Sequence, residues 1–101
     1  MNSKEYLLAC LSEELSEVQQ CVSKCLRFSP EHRYEEYPRS NFEELSMEFS
    51  DVMAIMDLMK ELCNLDVQVD LDRLDEKKER TLHYMNVSRL MGTLKDATTD
   101  N

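Results

Sequence analysis

An all-α fold, an antiparallel helical hairpin plus one or two further helices, is predicted by three observations. Helix-forming residues dominate a chain of 101 residues with only one Gly and two Pro, which leaves few places for connections. Over two long segments the apolar residues recur at alternating steps of three and four, the period of an amphipathic helix. The second segment is also apolar nearly all round over Val52-Met53-Ala54-Ile55-Met56-Asp57-Leu58-Met59, and a helix without a polar face must be covered on more than one side. The expected result is a four-helix-bundle-like core completed by oligomerisation, as a homodimer or a homotetramer.

The first helix is expected over 4–27, capped by Ser3 and stopped by Pro30. It would span roughly 36 Å. Its stripe is Leu8, Leu11, Leu15, Val18, Val22 and Cys25. The connection over 28–40 is too long for a tight turn between helices and too aromatic for a plain linker, with His32, Tyr34 and Tyr37 set among two arginines. Asn41 is expected to cap the second helix, with Glu44 at the capping-box position, and this helix should run to about Leu62. Its stripe is Phe42, Leu45, Phe49, Val52, Met56, Met59 and Cys63. A short extended connector through Leu65, Val67, Val69 and Leu71 follows. Asp70 or Asp72 then caps a third helix with Leu71, Leu74, Leu82 and Met85 facing inward, and a short fourth helical piece can occupy 87–94. The domain is read as 1–97, with 98–101 as a frayed tail.

The chemistry lies beside the stripes. Glu14 and Glu17 each stand one residue before a member of the first stripe, and Glu48 and Asp51 do the same on the second. If the helices pack antiparallel, Glu14 comes level with Asp51 and Glu17 with Glu48. Four carboxylates then converge on one seam, and two unit charges about 4 Å apart repel by roughly 4 kcal/mol at an effective dielectric of 20. Raised pKa values, splayed side chains or bound cations are the available remedies. An all-oxygen set without His or Cys suits Mg²⁺, or Mn²⁺ as a substitute, rather than zinc. A carboxylate-held Mg²⁺ keeps positions open for water and phosphate oxygens, so a phosphate-bearing substrate is expected.

These residues carry a resemblance. Glu13-Glu14-Leu15-Ser16-Glu17 resembles an E-E-x-x-E signature, and Glu48-Phe49-Ser50-Asp51 the following E-x-x-D, of the MazG-like all-α nucleoside triphosphate pyrophosphohydrolases, a superfamily with the dimeric dUTPases and phosphoribosyl-ATP pyrophosphohydrolase. The similarity covers roughly residues 4–85, including the basic stretch Glu76-Lys77-Lys78-Glu79-Arg80, while the segment between the two half-motifs is long for the family. It implies Mg²⁺-dependent hydrolysis of a (deoxy)nucleoside triphosphate to the monophosphate and pyrophosphate, as in clearing the nucleotide pool. Glu14, Glu17, Glu48 and Asp51 would hold the metal, and Glu17 or Glu48 would orient or deprotonate the attacking water. Glu13, which the signature includes, points nearly opposite the stripe at ~100° per residue and fits an exposed or supporting role. Lys78 is the candidate for a phosphate contact. A phosphoribosyl-ATP pyrophosphohydrolase activity is the alternative within the superfamily. A helical interaction module whose acidic face binds a basic partner, without chemistry, is the alternative outside it.

Composition narrows the partners. The net charge of −9 opposes binding to nucleic-acid phosphates, and no apolar run approaches the ~20 residues needed to cross a membrane. The first residues carry no basic region or cleavage site, so a cytoplasmic location is expected. Cys10, Cys21, Cys25 and Cys63 lack zinc-like spacing and read as reduced, inert thiols. Tyr34 and Tyr37 can stack on a base or simply pack the loop onto the bundle, and His32 and the methionines read as incidental and core residues.

Overall fold

The structure, a computed structural model, describes residues 1–95; the expected frayed tail at 98–101 lies outside them. Among the described residues there are three helices, α1 (Ser3–Phe28), α2 (Asn41–Cys63) and α3 (Leu71–Leu90), and no strand. The chain divides into two compact units, Met1–Val67 and Gln68–Asn101.

In the first unit α1 and α2 form an antiparallel hairpin, with the start of α1 beside the end of α2 and the end of α1 beside Asn41. Both N-caps sit one residue earlier than expected. Asn2, rather than Ser3, accepts the Glu5 amide at 2.8 Å. Ser40, rather than Asn41, accepts the Glu43 amide at 3.2 Å, and Glu43, not Glu44, reaches back to the Ser40 amide at 3.2 Å. The reciprocal pair satisfies two amides that the first turn would leave open. Relieved of capping, Asn41 ties the end of α1 to the start of α2. Its side-chain amide donates to the Ser29 carbonyl at 3.1 Å, and its backbone amide to His32 at 2.9 Å.

The seam keeps part of each expected stripe and leaves the rest exposed. Its buried apolar members are Leu7 and Cys21 on α1 and Val52 and Met59 on α2, with Leu11, Val18, Cys25, Leu45, Met56 and Cys63 half-buried. The stripe residues Leu8, Leu15, Val22, Phe42 and Phe49 are exposed instead. The contact is therefore turned part-way from each stripe towards its polar edge, by less than the ~100° of a full residue. Glu14 falls between Leu7 and Cys21 at heptad spacing, and Glu48 falls one heptad after Asn41. The unburied apolar rows, Leu8-Leu15-Val22 and Phe42-Phe49-Met53, each follow a seam row by one residue. An antiparallel pair has a two-fold axis normal to its plane, so rows displaced in the same sense on both helices share one broad side. The carboxylates Glu17 and Asp51, displaced in the opposite sense, share the other.

Asn64 ends α2 in the left-handed region (φ 57), its amide donating to Lys60 and Met59 carbonyls. In the second unit Asp70 caps α3 by accepting the Arg73 amide at 3.1 Å. None of the α3 residues is buried, so Leu71, Leu74 and Leu82, expected to face inward, are exposed, and Met85 is half-buried. The expected fourth helical piece is absent: α3 continues through Leu90, and Gly92, at φ 80, then turns the chain. A positive φ of this kind suits glycine, which has no Cβ to clash. No helix among the described residues is long and apolar enough to cross a membrane.

Candidate functional site

The seam geometry brings Glu14, Glu17 and Glu48 together, each offering a carboxylate oxygen within 4.8 Å of the others. The expected level pairing of Glu17 with Glu48 holds, since carboxylate oxygens of the two lie within 4.8 Å. Asp51, one turn beyond Glu48 and exposed, stands outside this close group. Its charge nevertheless bears on both Glu14 and Glu48. Glu13 is exposed, as its angle requires, and acts on the group only through its charge on Glu14. Lys78 lies exposed on α3 in the second unit.

Desolvation in the seam raises the Glu14 carboxyl above its ordinary value, and the charges of Glu17, Asp51 and Glu13 raise it further. Glu48 is raised first by desolvation, then by its contact with Glu17 and by the charges of Glu17, Asp51 and Glu14. Among the described residues, Glu14 Oε2 and Glu48 Oε2 are buried without a hydrogen-bond partner. Buried carboxylate oxygens normally find donors, so an orphaned pair in one cluster calls for a proton or a cation. Cys21, next to Glu48, is pushed up chiefly by burial and then by the Glu48 charge, which keeps its thiol protonated and inert. All four cysteines are free.

Towards the loop the carboxylates open into a cavity of about 350 Å³ lined by Glu17, Gln20 and Lys24 of α1, Tyr34 and Tyr37 of the loop, and Glu48 of α2, among others. Gln20 and Lys24, at i+3 and i+7 from Glu17, are absent from the sequence-based candidates, although that spacing places them on the same side of α1. The loop is tied down at both ends. Arg33 donates to the Pro38 carbonyl at 2.8 Å and to Glu43 at 3.1 Å, Phe42 donates its amide to Pro30 at 2.9 Å, and Arg39 pairs with Glu44 at 3.0 Å. The Ser40 backbone and side chain, followed by Arg33 and Arg39, hold Glu43 below its ordinary carboxyl value against some desolvation.

Ser29, where α1 ends, has φ 86 and ψ 151. This region is essentially reserved for glycine, and occupying it costs of order 1–3 kcal/mol. The buried Asn41 side chain, bonded to the Ser29 carbonyl, is what holds the backbone there. No protein-family model, curated protein or solved structure matches the chain.

Proposed function

We propose that the protein is a Mg²⁺-dependent pyrophosphohydrolase that converts a (deoxy)nucleoside triphosphate and water to the monophosphate and pyrophosphate. The observation that carries this reading is the pair of orphaned oxygens, Glu14 Oε2 and Glu48 Oε2, inside a three-carboxylate group whose donor atoms lie within 4.8 Å of one another. An all-oxygen set fits Mg²⁺, with Mn²⁺ as a substitute. Glu14, Glu17 and Glu48 would hold the ion, with Asp51 as the fourth carboxylate that the resemblance to the MazG-like enzymes supplies. Such a metal neutralises triphosphate charge and lowers the pKa of a bound water.

The residues divide the remaining work. Glu48, whose carboxyl is raised above its ordinary value by desolvation and by Glu17, is suited to take the proton of the attacking water. Glu17, in contact with it, orients that carboxyl. No Ser-His or Cys-His pair stands at the cluster, so direct attack by water is preferred to a covalent intermediate. Gathering the carboxylates at one level also favours this reading over an interaction module, which would spread them along a surface.

The test is pyrophosphate release from common and modified nucleoside triphosphates and from phosphoribosyl-ATP at millimolar Mg²⁺, paired with melting curves in Mg²⁺ and in chelator. Release with at least one substrate, and a higher melting temperature in Mg²⁺, are expected. No release across the panel together with identical melting in both buffers would overturn the proposal.

A further inference from the structure

Tyr34 and Tyr37 are large aromatic side chains left 48% and 57% exposed at the mouth of the cavity that contains Glu17 and Glu48. Their rings lie 6.0 Å apart and are tilted by 57°. A ring sandwiched between them would need about twice the ~3.4 Å stacking step of nucleic-acid bases. The pair therefore makes a corner, in which one ring offers its face and the other its edge. Tyr34 is further braced by His32 at 5.1 Å and Phe28 at 6.5 Å, both edge-on, and a Tyr37 amide bond to the Tyr34 carbonyl at 2.9 Å fixes the turn between them. A hydrogen-bonded loop that shows aromatic surface to a cavity is suited to a planar ligand.

The charges place the rest of that ligand. Of the two cations at the cavity, Arg39 is engaged by Glu44 at 3.0 Å, whereas Lys24 has no ion pair among the described residues. Lys24 is seven residues beyond Glu17, or about 10.5 Å along α1. The order along the groove is then carboxylates, cation, aromatic corner, which matches the order of polyphosphate, sugar-phosphate and base in a nucleotide.

We propose that Tyr34 and Tyr37 bind the base of the nucleotide and that Lys24 answers the charge of its sugar-linked phosphate, which makes the loop over 29–40 the base-binding element of this protein. The choice of a nucleotide rests on the pyrophosphohydrolase reading, whereas the corner itself does not depend on metal. Sequence-tolerant stacking is the expected mode, because every base has a π-face.

The experiment uses the full chain in chelator, where binding of the four common nucleoside 5′-monophosphates is followed by tyrosine fluorescence, since the chain has no Trp, and by calorimetry. Tyr34→Ala and Tyr37→Ala should each weaken binding about tenfold or more, with Tyr34→Phe and Tyr37→Phe close to wild type. Lys24→Gln should erase the preference for a monophosphate over its nucleoside. In Mg²⁺ the alanine variants should raise KM for the triphosphate by a similar factor and leave kcat within about twofold. Circular dichroism confirms that each variant is folded. Monophosphate binding that survives both alanine substitutions, or no binding while pyrophosphate is still released, overturns the inference and leaves the hydrolase reading standing. Tyrosine-dependent binding without pyrophosphate release across the panel, and with identical melting in Mg²⁺ and in chelator, upholds the corner and defeats the hydrolase reading.

Discussion

Removing one charge from the seam separates a ligand site from an ordinary acidic face. In Glu48→Gln the shape and the helix propensity are nearly kept, while the repulsion with Glu17 is lost. Oxygens of the two residues lie within 4.8 Å. At that distance two unit charges repel by about 3.5 kcal/mol at an effective dielectric of 20 and by about 0.9 kcal/mol in bulk water. Both carboxylates are half-buried, and physiological salt screens over ~8 Å, so the lower part of this range applies. About 1 kcal/mol of stabilisation is expected in chelator at neutral pH, or a rise of about 4–8 °C in melting temperature for a domain of this size. With millimolar Mg²⁺ the order should reverse, because the wild type gains from the ion and the variant has lost a donor. Pyrophosphate release should fall to a small fraction of wild type, whereas Glu13→Gln, on the outer side, should be mild. Differential scanning calorimetry in both buffers, with kinetics at saturating Mg²⁺, checks all of this. If Glu48→Gln melts lower than wild type in chelator, or gains as much from Mg²⁺ as the wild type does, the carboxylates do not act as a cation site.

The remaining expectations concern pH, strain, assembly and thiols. Glu14 and Glu48 bind their protons more tightly in the folded chain than at the ordinary value of 4.5, so in chelator stability should rise as pH falls through their raised values and be fully gained below 4.5. Glu43, held below 4.5, works in the opposite sense: its contribution is present above 4.5 and is lost as pH falls through its lowered value. Melting curves from about pH 7.5 to about pH 3.5 should therefore show a maximum on the acid side in chelator, and Mg²⁺ should flatten the rise above it; a steady decline from neutral pH would refute this assignment. Ser29→Gly should stabilise by about 1 kcal/mol by relieving a φ of 86, and a lower melting temperature would refute the strain. Light scattering at micromolar concentration should give a dimer or tetramer that Leu15→Glu or Phe49→Glu dissociates, and a monodisperse wild-type mass near 11.9 kDa would defeat the expectation. Alkylation of the denatured, unreduced protein should label Cys10, Cys21, Cys25 and Cys63 alike, and recovery of an intramolecular bridge would contradict the free thiols in the structure.

The helices were legible because their signals are local. Step-three-and-four periodicity located α1 and α2 to within a residue or so at each end. The caps slipped by one because Asn2 and Ser40 precede residues of equal capping ability, and which one accepts the amide depends on the backbone just before the first turn. The antiparallel register and the meeting of Glu17 with Glu48 were also within reach, since a hairpin leaves little freedom in which residues are level. Rotation about each helix axis was legible only in part, since Val52 and Met59 of the expected stripe are buried whereas Leu8, Leu15 and Val22 are not. Leu7, Glu14 and Cys21 make one row and Leu8, Leu15 and Val22 the next, and composition alone favours the second as the buried row. The tyrosine corner lay further out of reach: it depends on Arg33, Asn41 and Ser29 folding a twelve-residue loop back over α2, and long-range tethers of this kind have no periodic signature.

The partial rotation of the seam away from the stripes accounts for both broad sides of the hairpin. Had the whole of both stripes met, Leu8, Leu15, Val22, Phe42 and Phe49 would have been consumed in the contact, and Glu14 and Glu48 would have flanked the seam instead of standing within its rows. With the seam moved towards the polar edge, the carboxylates lie at the contact of two helices, partly desolvated and fixed in register. The apolar rows are left on the far side, with Leu15 at 49% and Met53 at 64% exposure. Only four apolar side chains are buried along the whole hairpin, Leu7, Cys21, Val52 and Met59, too few to hold two long helices with charged groups between them. We expect the uncovered rows to be where an assembly would add burial. A second copy seated there would leave the cavity of Glu17, Lys24 and Tyr34 open, because that cavity faces the opposite side. Assembly and chemistry therefore make separate demands on the hairpin. Phe49→Glu should dissociate the oligomer and lower the melting temperature in chelator and in Mg²⁺ alike, whereas Glu48→Gln should leave the mass unchanged and remove the difference between the two buffers.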